Sequence, residues 1–209
     1  MTHHPIYHPP ISDQDYRLLG CWEIAAQSDG EVGITDDYPR FKASYTHEEL
    51  VEHFLLSPAE HALVAMCRGD VNRQAVAVLL KAVQHLGYFP DGLRHVPEAV
   101  RTFIAQQLQL LWDHTGHYPR HPSTRDVHLA LIRQHTGFRF PTGQDKHTLE
   151  TWLHLHGAPQ APTEEGLCEC AYARLRALGI ELPTEPELRR IVRAALHGFF
   201  DDLYQRVTA

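Results

Sequence analysis

The stretch SPAEHALVAMCRGDVNRQAVAVLLKAVQHLG, residues 57–87, decides the fold. Ser57 followed by Glu60 is a capping box, and Pro58 stands at the first helical position, where its missing N–H is no loss. This predicts a helix from Pro58 to about Cys67. Arg68-Gly69-Asp70 reads as a tight turn, with Gly69 in the left-handed position and Asp70 capping the next helix. That second helix runs over 71–86 and stops at Gly87. Val76, Leu79, Leu80, Val83 and Leu86 give it a wide apolar face. Its remaining stripe is Gln74, Ala77, Lys81 and His85, polar groups around a small residue that lets another backbone come close. Two helices joined by a short glycine turn have the general form of a helix–turn–helix.

The pattern repeats on both sides. Thr46 with Glu49 is another capping box and opens a helix to about Phe54. Phe89-Pro90-Asp91-Gly92 is a turn, and Val96-Pro97-Glu98 starts a helix reaching about Trp112. Further on, helices are expected over 123–135 before Gly137, over 144–156 before Gly157, over 163–178 before Gly179, and over 184–207. In the last of these Leu188, Ile191, Val192, Ala195, Phe199 and Leu203 recur at helical spacing. Residues 180–182 are the one short strand candidate. Residues 114–122 hold two prolines and a glycine and read as a linker. Residues 1–45 are turn-rich, with a short helix expected over 13–26, and read as an irregular arm. The expectation is an all-α protein. An amino-terminal arm (1–45) precedes two tandem small helical domains with helix–turn–helix-like elements (46–113 and 123–209), joined by the linker.

Composition limits the function classes. A chain of 209 residues with 43% hydrophobic and 22% charged residues has ordinary globular usage. No apolar run reaches the roughly 20 residues that span a bilayer, and the amino terminus has no apolar stretch of signal-peptide length. The expected location is the cytoplasm. The net charge is −7, with 19 Lys and Arg against 26 Asp and Glu. That balance speaks against a nucleic-acid binder unless cations cluster locally. All but Lys42, Lys81 and Lys146 of the bases are Arg, the side chain suited to forked phosphate or guanine contact.

Two clusters carry such chemistry. In the turn of the helix pair, Arg68, Asn72, Arg73 and Gln74 stand where the second helix of such a motif reaches base edges and phosphate, with Lys81 further along it. The plainer reading is surface charge on a helical bundle. In the last helix Arg189, Arg190 and Arg193 lie opposite the apolar stripe, suited either to phosphate or to ion pairs with Glu185, Glu187 and other acids. Arg125, Arg133, Arg139 and Lys146 form a looser basic scatter. The 17 histidines and four cysteines give no metal site: His114-x-x-His117, His154-x-His156 and Cys168-x-Cys170 match no standard zinc spacing. Cys21, Cys67, Cys168 and Cys170 are read as free thiols, buried as small hydrophobes. There is no glycine-rich phosphate loop and no nucleophile elbow, so no catalytic residues and no cofactor are assigned.

Several strings in order carry a resemblance: Leu56-Ser57-Pro58-Ala59-Glu60, Arg68-Gly69-Asp70-Val71-Asn72-Arg73, Gly87-Tyr88-Phe89-Pro90, Val96-Pro97, Phe103-Ile104-Ala105 and Gln107-Leu108. His135-Thr-Gly-Phe-Arg-Phe140 and Leu175-Arg-Ala-Leu-Gly-Ile-Glu-Leu-Pro183 continue the order. Over residues 46–207 the chain resembles the amino-terminal region of the Tn-three family of replicative, cointegrate-forming transposases. The resemblance implies a tandem of helical domains that bind double-stranded DNA at the terminal inverted repeats of a transposon, in bacteria and at the nucleoid. It also implies that strand cutting and joining belong to a ribonuclease-H-like domain further along, which a chain of this length does not reach. The partners implied are transposon-end DNA, with itself or other transposition proteins as the alternative.

Overall fold

The computed structural model describes residues 38–112, 118–119 and 122–208. The helix expected over 13–26, Cys21, and most of the expected linker, His114 and His117 included, lie outside these described residues.

Local capping chemistry starts the helices. Helix α1 (His47–Phe54) begins at Thr46, whose side-chain oxygen accepts from Glu49 N while the Glu49 carboxylate accepts from Thr46 N, 2.8 Å away. Helix α2 (Pro58–Ala65) repeats the arrangement between Ser57 and Glu60, at 2.6 Å. Helix α3 (Asp70–Leu86) departs from expectation at its start. Gly69, at φ +83°, is itself the N-cap and Asp70 is the first helical residue rather than the cap. Gly87, at φ +82°, closes α3 as the glycine pattern predicts.

Helix α4 (Glu98–Gln107) ends well before Trp112. The bond from Leu110 N to Ala105 O and that from Gln109 N to Gln106 O close it in a Schellman turn, with Gln109 at φ +57° in the place usually given to glycine. Four more helices follow: α5 (Pro122–Thr136), α6 (Gly143–Trp152), α7 (Glu164–Ala177) and α8 (Glu185–Thr208). A five-residue π-helical turn, Leu153–Gly157, extends α6. The strand candidate at 180–182 is realised only as an isolated parallel bridge between Arg139 and Ile180. The described residues are all-α in class. Among them no helix is long and apolar enough to cross a membrane.

Helix α3 is the hub of the first half. It packs against α1, α2, α4 and α5, and every residue from Gln74 to Val83 is buried. A helix enclosed on all sides cannot keep an open polar stripe. Helix α5 starts where the second module is expected, yet it seats Leu129 and Ile132 in the same core as Phe54, Leu79, Leu80 and Ile104. A second core gathers Leu149, Leu153, Leu167, Leu175, Leu188, Ile191 and Val192 from α6, the π turn, α7 and α8.

More than a chain connection joins the cores. Leu182 N donates to Gly87 O at 2.9 Å, and Glu181 N donates to Arg139 O at 2.9 Å. The Arg133 guanidinium grips the buried Glu181 carboxylate with two N–H groups and stacks 3.7 Å from the Phe140 ring centroid. Residues 38–45 also span the halves: Tyr38 lies in the second core and donates to Pro183 O at 2.9 Å, while Phe41 and Tyr45 pack on the first. That part of the expected arm is built into the body, and the described residues all fall within one compact unit.

Candidate nucleic-acid interface

The first turns of α8 bring together cations from three parts of the chain. Burial of Leu188, Ile191, Val192 and Ala195 in the second core fixes the helix's rotation and turns Arg189, Arg190 and Arg193 outward. Arg189 donates from Nε to Glu185 at 3.1 Å and from Nη1 to Glu164 Oε1 at 3.3 Å. Arg193 donates from Nε to Glu164 Oε2 at 2.9 Å. The other oxygen of Glu185 takes Arg40 Nη2 at 2.8 Å, and Glu187 takes Lys146 Nζ at 2.6 Å. Arg190 is exposed, with no side-chain bond or ion pair among the described residues. Four cations thus share three carboxylates, with Arg190 as a fifth cation on the same helix, in a chain that is acidic overall.

The guanidinium of Arg193, helped by that of Arg189, holds the Glu164 carboxyl below its usual range against the opposing effect of burial. Glu164 in turn raises Arg193. A guanidinium fork that accepts a carboxylate also fits two phosphate oxygens.

The turn before α3 is different. Arg68 is exposed and its side chain has no partner among the described residues. Asn72 donates to Arg68 O at 2.8 Å, and Arg73 donates from Nε to Cys67 O at 3.1 Å with Asp70 3.6 Å away. Asn72 and Arg73 therefore tie the turn together, and Arg73 keeps its outer edge on the surface at 42% exposure. Beside them lies an open groove of about 390 Å³ lined by His61, Val64, Ala65, Arg73 and residues 107–110.

Two expected site residues are corrected by burial. Gln74 is 3% exposed and donates to Leu111 O at 2.6 Å. Lys81 is 7% exposed, with Nζ 3.0 Å from Glu60 and 3.0 Å from Gln84. Neither reaches a ligand outside, because α2 and the chain after α4 cover the stripe they occupy. Arg125 reaches across to Pro90 O at 2.9 Å, and Arg139 is clamped by both oxygens of Asp145 at 2.6 and 2.7 Å. Arg68, Asn72 and Arg73 stay together at the turn, Lys146 joins the arginines of α8 through Glu187, and Arg125 and Arg139 bind elsewhere. Arg40 was missed by sequence reading because it falls in the expected arm. The signal that could have found it is the aromatic spacing of Tyr38, Phe41 and Tyr45, which anchors that segment.

The histidine and cysteine groupings also resolve. His154 pairs with Asp202 at 2.9 Å and His156 lies against Trp152. Cys67, Cys168 and Cys170 are buried, and none of the three forms a disulfide.

Comparison with known proteins bears on what this surface serves. The transposase for transposon gamma-delta from Escherichia coli (strain K12) is 28% identical over 103 residues, 49% of this chain and 10% of that protein. The chain thus matches about a tenth of that relative's length. Residues 35–195, more than half of the chain, match the family described as "Domain of unknown function (DUF4158)". Cationic outer turns on a closed helical body are thereby placed in a known lineage: the chain belongs to the DUF4158 family and is transposase-related.

Proposed function

We propose that the chain binds double-stranded DNA sequence-specifically at transposon terminal inverted repeats, as the recognition region of a replicative transposase, with strand chemistry left to another domain. The observation that carries this reading is the assembly of Arg40, Lys146, Arg189, Arg190 and Arg193 on one surface. In a chain of net charge −7 such clustering is not an average property of the surface. The relationship to a transposase supports DNA as the polyanion.

Phosphate contacts from α8 supply affinity, and Arg68 with the outer edge of Arg73 supplies a second point of contact. Arg139 and Arg125 add to the field without freeing their donors. The test is anisotropy titration of a labelled transposon-end duplex and a scrambled duplex at several salt concentrations. Four phosphate contacts would give a log–log salt slope of about −3.6. Equal affinity for both duplexes together with a flat salt response refutes the reading.

One observation favours a second reading, self-association. Past Ala195 no residue of α8 is buried, and Phe200, Leu203, Tyr204 and Val207 are 48%, 38%, 71% and 85% exposed. Asp201, Asp202 and Arg206 flank them, a self-complementary pairing for an antiparallel copy of the same helix. Sedimentation of the wild type against Tyr204→Glu separates the readings, because a monomer at all concentrations rejects the second.

A further inference from the structure

We infer that Glu164 is an internal competitor for DNA phosphate: its carboxylate occupies the guanidiniums of Arg189 and Arg193, and a duplex must displace it to bind. The inference rests on the DNA-binding reading and names what regulates that surface. Each oxygen of Glu164 accepts from a different arginine, at 3.3 and 2.9 Å, as two oxygens of one bridging phosphate would. Glu164 sits on α7 and both arginines on α8, so a rotation of its side chain withdraws it from both without moving either helix, while Arg189 keeps its bond from Nε to Glu185.

The release is easy because the group is wet. Glu164 is 26% exposed and Arg193 is 64% exposed, so water and salt screen the pair. Elsewhere the molecule shows what a structural ion pair looks like: Lys81 with Glu60, at 9% and 6% exposure, and Arg133 with Glu181, at 17% and 7%. Glu164 is of another kind. Its effect is a threshold. A ligand that offers one stray phosphate gains nothing over the carboxylate already present, whereas a duplex that places several phosphates at once overcomes it. Apparent affinity falls by the fraction of time the arginines are free, so a five- to tenfold penalty corresponds to a ladder open for about 10–20% of the time.

The experiment uses the full chain and two variants of equal net charge. Glu164→Gln keeps the size of the side chain and removes its charge. Glu165→Gln removes the same charge from the adjacent residue, which has no ion pair among the described residues. Each is titrated with transposon-end and scrambled duplexes between about 50 and 300 mM salt, after circular dichroism melts verify folding. The expected result is tightening of about five- to tenfold for Glu164→Gln, a salt slope steeper by about one to two contacts, and a smaller preference for the end sequence. Glu165→Gln stays within about twofold of the wild type. Equal effects of the two variants, or weaker binding by Glu164→Gln, overturn the inference while leaving DNA binding intact. Failure of all three proteins to bind either duplex at the lowest salt overturns the DNA reading and the inference with it.

Discussion

Replacing Lys81 with methionine tests the corrected placement of the residue that sequence reading put on the DNA face. Methionine keeps the length of the side chain, so no cavity forms and the charge is what is lost. The substitution strips Glu60, 6% exposed on its side chain, of the ammonium 3.0 Å away. That carboxylate then keeps only Ser57 N at 2.6 Å and the Gln84 amide at 2.7 Å. Orphaning a buried charge in this way costs about 3–5 kcal/mol. For a domain of this size that is a fall in Tm of roughly 6–20 °C. The pH dependence adds a sign. Burial raises the Glu60 carboxyl, but the bonds from Ser57, Gln84 and Lys81 outweigh it and hold it below the usual carboxylate range. In the wild type this stability is present above the unfolded value and lost as pH falls. Without Lys81 the carboxyl is held down less strongly and protonation relieves the orphaned charge at a higher pH than in the wild type, so the deficit narrows as pH falls from 7. Adding Glu60→Gln, which keeps the capping box, should recover much of the loss. Urea unfolding followed by circular dichroism measures all of this, and the DNA affinity of the folded variant should stay within about twofold. Unchanged stability with lost DNA binding would refute the burial argument.

Single replacements Arg190→Ala and Arg193→Ala should each weaken binding to all duplexes alike and reduce the salt slope by about one, with stability within about 0.5 kcal/mol, as read by anisotropy and urea titration. Gly87→Ala should cost about 1–3 kcal/mol in urea unfolding. Gly87 is at φ +82°, and an added Cβ would lie 3.1 Å from Leu182 Cγ at the contact between the two halves. Burial, followed by the charges of His53, Arg176 and Lys42, pushes His85 down to about 4, with the Tyr45 hydroxyl 3.3 Å from its Nε2. The unfolded chain therefore takes up this proton first, so Tm should fall from pH 6.5 towards pH 4, and His85→Gln should flatten that part of the profile.

Helix starts were legible in the sequence because capping is local. Thr46 with Glu49, Ser57 with Glu60, and Thr163 all act within three residues of themselves. Burial of the Gln74–Lys81 stripe was not legible. Periodicity ranks the faces of one helix by polarity, and a polar face reads as outward unless its partner is known. The partner of Lys81 is Glu60, 21 residues away on another helix. The prolines of 114–122 mark a break in regular structure but not which core α5 joins. That depends on Leu129 and Ile132 meeting α3. The α8 cluster was half legible: spacing placed Arg189, Arg190 and Arg193 on the polar side. It offered Glu185, Glu187 and other acids as partners without naming Glu164, the cross-helix acid, and Glu187 serves Lys146 instead.

Ion pairs in this molecule divide by burial into two kinds with opposite uses. Lys81 with Glu60 and Arg133 with Glu181 are dry, so separating the partners would strand a charge, and they hold helices in place. The pairs of Arg189, Arg193 and Lys146 with their carboxylates are wet, and screening makes them exchangeable for another anion at little cost. A chain can therefore be acidic in total and still address a polyanion. On the proposed exchange, the carboxylates within the cluster leave when phosphate arrives. On the proposed DNA-binding reading, net charge sets how weakly stray DNA is held, and local arrangement sets how well the right end is held. An acidic total with a clustered cationic ladder lowers the first without abolishing the second, which is the combination a selective end-binder requires.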